Sequence, residues 1–490
     1  MRVEHVSIVV AGLLIASVLA SKAAVRLRIP SLVLFVLLGI LAGSEGIGGI
    51  YFDDALMAQW VGTIALLFIL FAAGLETKWH QVRPVLAPGL SLATAGVLVS
   101  AAIMMLFCHY ALQLSYKEAL LLGSVVSSTD AAAVFTVLRS QGIGLKNDVQ
   151  RVIEFESGSN DPVAVLLTLS VIQLIGAEGL PLAPVLGNTL MQLAVGAVAG
   201  YAFGRLMLFG INRIRLEWEG LYPVLSLALA LLTFGLSSAL RGSGFLAIYL
   251  AGIVLGNAYF VHRRSLRLFH DALAWVMQIV VFLTLGLLVF PSQLIRVSLA
   301  GIAVSAFLVF VARPASVFVA LAYTRFNWKE KLFISWAGLR GAVPIVLATF
   351  ALVAGLERAH FMFNVVFFTA LLSLVVQAAT IPTVARLTGV AAPLVPVRAY
   401  PIEFNPTHGI KSDLMELEVM PDSAAAGKRI VDLGLPKSAL ITLMSRGSEF
   451  VVPKGDTELL PGDVLLVLAD DAASHQLRVL TGNNNAGGPA

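Results

Sequence analysis

From residue 6 to residue 387 the chain is a near-continuous succession of apolar stretches joined by short polar connections: 6–21, 30–43, 56–75, 85–112, 118–138, 160–176, 182–209, 221–239, 244–260, 270–290, 295–323, 331–354 and 361–387. A bilayer interior offers no hydrogen-bond partner to a backbone, so a stretch of this kind has to satisfy its own N–H and C=O groups by folding as helix. Thirteen stretches predict an all-α polytopic membrane protein with about thirteen transmembrane helices. Composition agrees, with 58% hydrophobic and 13% charged residues, against about 25% charged in a soluble domain. Several stretches fall short of the ~20 residues that a perpendicular crossing needs, so their ends are the least defined feature.

The connections carry an independent signal. In alternate loops Lys and Arg number seventeen on one side, among them Lys22, Arg26, Arg139, Arg213, Arg263 and Lys331, and five on the other: Arg2, Lys117, Arg241, Arg296 and Arg358. The positive-inside rule makes the first side cytoplasmic, with the N-terminus outside and the C-terminal tail inside, as an odd helix count requires. Residues 1–25 resemble a secretory leader only superficially. Glu4 offsets Arg2 and the stronger basic cluster follows the apolar run, so the segment is expected to stay as the first helix. The net charge of +4 is scattered over short loops and gives no sign of a nucleic-acid partner. The single Cys108 excludes an intrachain disulfide or a multi-cysteine metal site.

Against this apolar background, 127–161 stands out. The fifth stretch is interrupted by Ser127-Ser128-Thr129-Asp130, and Glu156-Ser157-Gly158-Ser159-Asn160-Asp161 opens the sixth. An ionisable group within a span costs about 2.5–3.5 kcal/mol on insertion scales and marks a functional site by default. The twelfth stretch is broken too, at Gly338-Leu339-Arg340-Gly341-Ala342-Val343-Pro344. The second broken span comes seven places after the first, so those helices run in opposite directions, the pattern of inverted repeats whose half-helix ends meet at a substrate site. Spans 1–6 and 8–13 would be the repeats.

Asp161, followed by Pro162, suits the first turn of the sixth helix. There Ser157, Ser159 or Asn160 could serve only as caps, and an acid favours the macrodipole. Capping does not account for Asp130 in the preceding break. Desolvation disfavours a carboxylate's charged form, so a proton and a monovalent cation can compete for such a group near neutral pH. Competition at one site is exchange, and Asp161 is the expected shared carboxylate. A helix break at Thr129 and Asp130 frees hard oxygen donors of the kind an alkali ion prefers. Asp130 could equally stay ionised opposite a helix N-terminus. Ser157 is a further candidate ligand or a simple cap. Arg340 is a permanent charge that needs a partner, and Glu156 is the nearest unassigned acid; Asn160 could orient the same group. A purely structural pair between the two broken helices is the plain alternative. Arg313-Pro314 is a second buried cation, which Glu76 either meets or leaves while snorkelling to the cytoplasmic face.

Thr129-Asp130, the run from Glu156 to Pro162, the segment from Gly338 to Pro344 and Phe71-Ala-Ala-Gly-Leu-Glu76 together resemble the monovalent cation:proton antiporter superfamily in its NhaP-type branch, over roughly residues 5–390. The resemblance implies an NhaA-like fold of thirteen helices with a dimerisation domain, a six-helix core that moves as an elevator, and a homodimer in the bacterial inner membrane. The Asn160-Asp161 pair is similar to that of the electroneutral members. Carried over, the ion and proton site is Thr129, Asp130, Ser157 and Asp161, supported by Glu156, Asn160 and Arg340, with Glu76 and Arg313 as accessory positions. The substrates would be a monovalent cation and a proton, with no resident cofactor.

Pro393, Pro396, Pro401 and Pro406 mark a linker, placed at 393–402 after a transmembrane domain covering 1–392. Residues 403–482 read as a small soluble α/β module. Leu414–Val419 alternates, 439–444 and 464–468 are short apolar runs, and turns lie at Lys454-Gly455-Asp456 and Pro461-Gly462-Asp463. The order Gly427-Lys-Arg-Ile-Val-Asp-Leu, Ser445-Arg-Gly, Val452-Pro-Lys-Gly-Asp-Thr457 and Pro461-Gly-Asp463 resembles the TrkA-C (RCK-C) regulatory domain. That resemblance implies pairing of the domain around a small-molecule or nucleotide regulator, or without one. It also favours potassium over sodium or lithium. The polar tail 483–490 is expected to be disordered. Two other classes fit the sequence less well. A ligand-gated cation channel would need a carbonyl-rich filter, which is not evident, and an intramembrane hydrolase would need a Gly-x-Ser-x-Gly elbow, which is absent.

Overall fold

The computed structural model describes residues 3–27, 29–176, 181–214, 216–258, 260–394, 413–436, 438–447 and 449–482. The chain divides into two compact units, 1–395 and 396–490.

The first unit is helical. In chain order its helices are α1 Val3–Leu27, α2 Ser31–Ala42, α3 Ala55–Glu76, α4 Trp79–Leu112, α5 Tyr116–Val125, α6 Ala131–Ser140, α7 Asn147–Gly176, α8 Leu182–Arg213, α9 Leu221–Ala239, α10 Gly244–Gly256, α11 Arg263–Leu287, α12 Pro291–Ala320, α13 Trp328–Trp336, α14 Ala342–Val353 and α15 Ala359–Leu387. Among the described residues nine helices are long and apolar enough to cross a membrane, while α2, α6, α10 and α14 are shorter apolar helices. The apolar stretch at 244–260 therefore contains a helix of only 13 residues.

Two bundles form. The first packs α1 on α2, α2 and α3 on α11, and α3, α8 and α9 on α10; the second joins α4, α5, α7, α12, α14 and α15. They meet where α14 crosses α3 and where α7 crosses α8 and α10. Small residues set the distance between α3 and α10: a Cβ on Gly74 would collide with the Tyr249 carbonyl oxygen, and one on Gly252 would fall 2.6 Å from that of Phe71. Lipid tails are as apolar as side chains, so close backbone approach of this kind is what holds membrane helices together.

Both broken helices start from a capping box. Ser115 caps α5 with Glu118 reaching back, and Asn327 caps α13 with Glu330, which satisfies orphan N–H groups at the start of each half-helix. The breaks cover 126–130 and 337–341. Pro344, assigned above to the second break, lies in the first turn of α14, where its missing N–H costs nothing. The sixth span differs more. Its helix begins at Asn147 and runs unbroken to Gly176, so Asp161 and Pro162 lie mid-helix and not in a first turn. The polar run 156–161 has the composition of a loop, yet each of its side chains finds partners on crossing elements or space along the helix. A short antiparallel ribbon joins β1 Ile143–Leu145 to β2 Ala391–Pro393, so Pro393 is paired with Ile143 and does not open a linker. The remainder of the expected linker beyond residue 394, the start of the module at 403–412 and the tail 483–490 lie outside the described residues.

The second unit is a four-stranded antiparallel sheet, β3 Asp413–Glu418, β4 Ala439–Arg446, β5 Glu449–Val451 and β6 Val464–Ala469, in the order β3-β6-β4-β5, with α16 Asp471–Thr481 against β3 and β6. Leu417, Val419, Met444, Leu465, Val467 and Leu477 form its core.

Candidate functional site

The two breaks touch. The Asp130 N–H donates to the Leu339 carbonyl at 2.8 Å, and a Cβ on Gly341 would collide with Asp130 Oδ2. Glycine at 341 thus allows the second break to lie directly on the first. Each half-helix end exposes backbone groups that need partners, and the site is assembled from the groups that supply them. Asp130 caps α6, its Oδ1 accepting the Ala132 N–H at 2.9 Å. The Ser157 hydroxyl, on α7, accepts the Ala131 N–H at 3.0 Å and donates to the Thr129 carbonyl at 3.1 Å. Ser157 therefore caps a helix, but α6 and not its own.

At the other end of this break, the buried Arg340 guanidinium donates to the carbonyls of Ser128 at 2.7 Å and Ser127 at 3.2 Å. A cation at a helix C-terminus complements both the orphan carbonyls and the dipole. The Arg340 N–H donates to the Ser373 hydroxyl at 3.1 Å. Ser373 and Gln377 bound a π-helical turn in α15, and the Gln377 amide donates to the Trp336 carbonyl at the end of α13. Sequence reasoning names neither residue; a lone Gln in the thirteenth apolar stretch is the available signal.

Asp161 sits on α7 against this crossing, its Oδ1 accepting the Ser128 hydroxyl at 2.5 Å. Asn160, fully buried, donates its amide to the Thr129 hydroxyl at 2.5 Å and leaves its carbonyl oxygen unpartnered. On the α10 side, Tyr249 is buried. Its hydroxyl lies beside Ser159 and Thr77, and a Cβ on Gly158 would fall 2.7 Å from that oxygen. Sequence reasoning assigns no role to Ser128 or Tyr249; Ser128 lies within the polar break, whereas a Tyr in an apolar helix gives no signal.

Two pairings differ from expectation. Glu156 is held by Arg313, whose Nη2 donates to Oε2 at 2.9 Å and whose Nη1 lies 2.6 Å from Oε1, and not by Arg340. Arg313 follows a π-helical turn in α12, and its side chain crosses the second break over Gly338, where a Cβ would fall 2.6 Å from Arg313 Nε. A charge-assisted hydrogen bond and close opposite charges hold this pair, while Arg340 is occupied by the carbonyls of the first break. Asn160 in turn orients Thr129 and not Glu156. Glu76 ends α3 exposed, and the charges that act on it are Asp271, Arg139, Glu154 and Arg267, so it does not meet Arg313.

The structure thus brings together Thr129, Asp130, Ser157, Asn160, Asp161, Glu156, Arg313 and Arg340, and leaves Glu76 apart. Oxygens of Asp161, Asp130, Ser128 and Thr129 cluster where two pairs of opposed half-helix ends meet. That is a donor set suited to a hard monovalent cation and able to hold a proton in its place.

Comparison with known proteins bears on this arrangement. Residues 12–387 match the family model described as sodium/hydrogen exchanger, transmembrane, and 414–482 match that of the TrkA-C domain. The chain is 38% identical to the K(+)/H(+) antiporter NhaP of Alkalimonas amylolytica over 473 residues, covering 96% of this chain and 82% of that protein. It is likewise 38% identical to the K(+)/H(+) antiporter NhaP2 of Shewanella sp. MR-4, covering 94% and 80%. The solved structure of the sodium proton antiporter MjNhaP1 from Methanocaldococcus jannaschii at pH 8 superposes with a TM-score of 0.68 at 24% identity, over 78% of this chain and 99% of that one, a likeness of fold. The chain therefore belongs to the sodium/hydrogen exchanger family through its membrane unit and carries a TrkA-C domain after it.

Proposed function

We propose that this chain is an electroneutral potassium/proton antiporter of the bacterial cytoplasmic membrane, in which Asp161 binds either one potassium ion or one proton. The observation that carries the proposal is the charge balance at the crossing. Three acids, Asp130, Glu156 and Asp161, face two arginines, Arg313 and Arg340. Glu156 is matched to Arg313, Asp130 faces the N-terminal end of α6, and Arg340 is spread over backbone carbonyls. With Asp161 ionised the cluster carries one net negative charge, which one monovalent cation or one proton cancels. A moving element with the same charge under either load exchanges one for one, without charge transfer. The oxygens of Thr129, Asp130 and Ser157 complete the cation's surroundings in this reading.

Each broken helix counted as one crossing, together with the nine long helices, α2 and α10, makes thirteen crossings, as an NhaA-like inverted repeat requires. In our proposal the bundle holding α7 shifts against the other, which forms the homodimer; the N-terminus lies outside and the TrkA-C domain in the cytoplasm. The 38% identical relatives named for potassium, and the TrkA-C domain, favour that ion. The Methanocaldococcus jannaschii relative named Na(+)/H(+) antiporter 1, at 28% identity, is the precedent for sodium or lithium. A nucleotide or other small regulator is assigned to the TrkA-C domain, with no resident cofactor elsewhere.

The test is pH-gradient dissipation in proteoliposomes with potassium, rubidium, sodium and lithium added in turn. Potassium should dissipate the gradient at a rate independent of imposed membrane potential, and Asp161→Asn should abolish the response. Potential-dependent flux, or cation flux without proton movement, would instead indicate electrogenic exchange or a channel.

A further inference from the structure

A cavity of about 540 Å³ lies between the two bundles, on the side where the loops carry few basic residues. Val165, Leu169 and Gln173 of α7, Asn188 and Gln192 of α8, and Arg241 line it. Asp161, Val165, Leu169 and Gln173 recur every fourth residue, so they form one stripe of α7, and about 18 Å of helix, at 1.5 Å per residue, separates Asp161 from Gln173. The cavity therefore heads the same stripe that carries the exchange carboxylate. Its polar lining is amides and hydroxyls, and among the described residues its sole ionisable lining residue is Arg241, an unexpected sign for a route used by cations.

Arg241 is exposed, on a backbone fixed by the turn. Its φ is +58°, a left-handed conformation unusual for a residue with a side chain, and its N–H donates to the Ser238 carbonyl in the turn between α9 and α10. The other basic residues of this side that the structure describes are engaged elsewhere. Lys117 donates to the Leu174 carbonyl, Arg358 to that of Gln113, and Arg296 acts on Glu45. Around Asp161 itself the facing groups are Asp130, Ser128 and Tyr249, with Arg340 and the Arg313–Glu156 pair behind the break.

We propose that this cavity is the external vestibule of the ion site and that Arg241 sets a positive potential along it, weakening external cation and external proton binding by the same factor. Low-dielectric walls focus such a field, and a fixed arginine in a pore is a recognised electrostatic barrier. At about 18 Å, the helix distance from Asp161 to the level of Gln173, a unit charge in an effective dielectric of 20 to 40 alters monovalent occupancy about two- to five-fold. Potassium and the proton carry equal charge, so the potential cannot favour one over the other; it holds the outward-facing carboxylate free of both. The inference rests on the exchange reading of Asp161.

The experiment compares wild type, Arg241→Asn and Arg241→Lys in right-side-out and everted membrane vesicles; asparagine tolerates the left-handed backbone. In right-side-out vesicles Arg241→Asn should lower the KM for bath potassium about two- to five-fold and raise the bath pH midpoint by the matching 0.3–0.7 unit, roughly. Arg241→Lys should stay near wild type, everted vesicles should show no change in bath KM, and choline chloride should shrink the difference by screening. An unchanged KM, a KM shift without the matching pH shift, or a lysine variant that behaves like asparagine overturns the role of Arg241. Absence of exchange in wild type would instead overturn the exchange reading.

Discussion

Asp161 is held at the crossing by a serine hydroxyl, and among the described residues no arginine pairs with it directly, which separates it from Glu156 within the same helix. Asp161→Asn removes the carboxylate proposed to exchange and keeps a side chain that can still accept from Ser128. It should abolish exchange while leaving the unfolding free energy of the detergent-solubilised protein within about 1 kcal/mol of wild type; loss of folding in this variant would assign Asp161 to structure. Glu156→Gln is expected to do the opposite first. It leaves Arg313, only 4% exposed, without its carboxylate, and breaking a buried pair from one side costs about 3–5 kcal/mol. Removing both partners, as Glu156→Gln with Arg313→Met, should restore most of that loss, because no charge is then stranded. Thermal unfolding of the single and double variants decides the matter. A double variant as unstable as the single one would mean that Arg313 acts through contacts other than Glu156. Residue types at the site were legible in the sequence because acids and arginines are so costly in lipid. Their partners were not, since Arg313 and Arg340 offer the same chemistry and only the path over Gly338 assigns one of them to Glu156.

At the scale of elements, the site depends on two breaks lying in contact, and Gly341 is the residue that permits it. Gly341→Ala drives a methyl group against the Asp130 carboxylate. Overpacking of this kind costs about 1–3 kcal/mol, and exchange should fall at least about tenfold as the break shifts. Gly235→Ala, in the middle of α9 with nothing within 4 Å, is the control; it should leave exchange unchanged and the protein no less stable, as helix propensity dictates. Equal exchange in the two variants would show that contact between the breaks is not required. The breaks were visible in the sequence as polar residues and glycines inside apolar stretches. The sequence holds a second signal of them. Ser115-x-x-Glu118 and Asn327-x-x-Glu330 open the two broken helices, and each capping box stands about fifteen residues before the second half-helix begins. The continuous α7 was illegible for a physical reason: a run of Glu, Ser, Gly, Asn, Asp and Pro has poor helix propensity, and tertiary partners overrode it. Of the caps that propensity leads one to place on α7 itself, Ser157 is spent on the neighbouring α6 and Asn160 on Thr129 in the break.

The whole molecule joins a membrane unit to a second unit whose stability has a different source. There the alternation of 414–419 and the turns at 454–456 and 461–463 announced a small sheet, but not its order, since β6 pairs with strands that precede it by about twenty and about fifty residues. Asp463 reads in the sequence as an ordinary turn residue. In the structure it is buried, and its carboxylate accepts from Arg446 Nε at 2.9 Å, Arg446 Nη2 at 2.7 Å and the Leu460 N–H at 2.8 Å, tying the turn before β6 to the end of β4. Burial alone would raise the Asp463 carboxyl above its usual range, but the bonds from Arg446 and Leu460 outweigh it and hold it below. Because the folded form then binds this proton less tightly than the unfolded chain does, the stabilisation is complete above the ordinary carboxylate value, about pH 4, and disappears as pH falls through it toward the depressed folded value. Asp463→Asn should therefore speed amide exchange in β4 and β6 of the full chain at pH 7 by an amount equivalent to about 1.5 kcal/mol, the low end for a charged hydrogen bond because Arg446 is partly exposed. The difference from wild type should hold constant down to about pH 5 and shrink below about pH 4, while α3 and α7 exchange alike in both proteins throughout. Hydrogen exchange read by mass spectrometry on the full chain gives all three quantities at once. A difference that persists undiminished at the lowest pH would place the contribution of Asp463 in its shape and not in its charge.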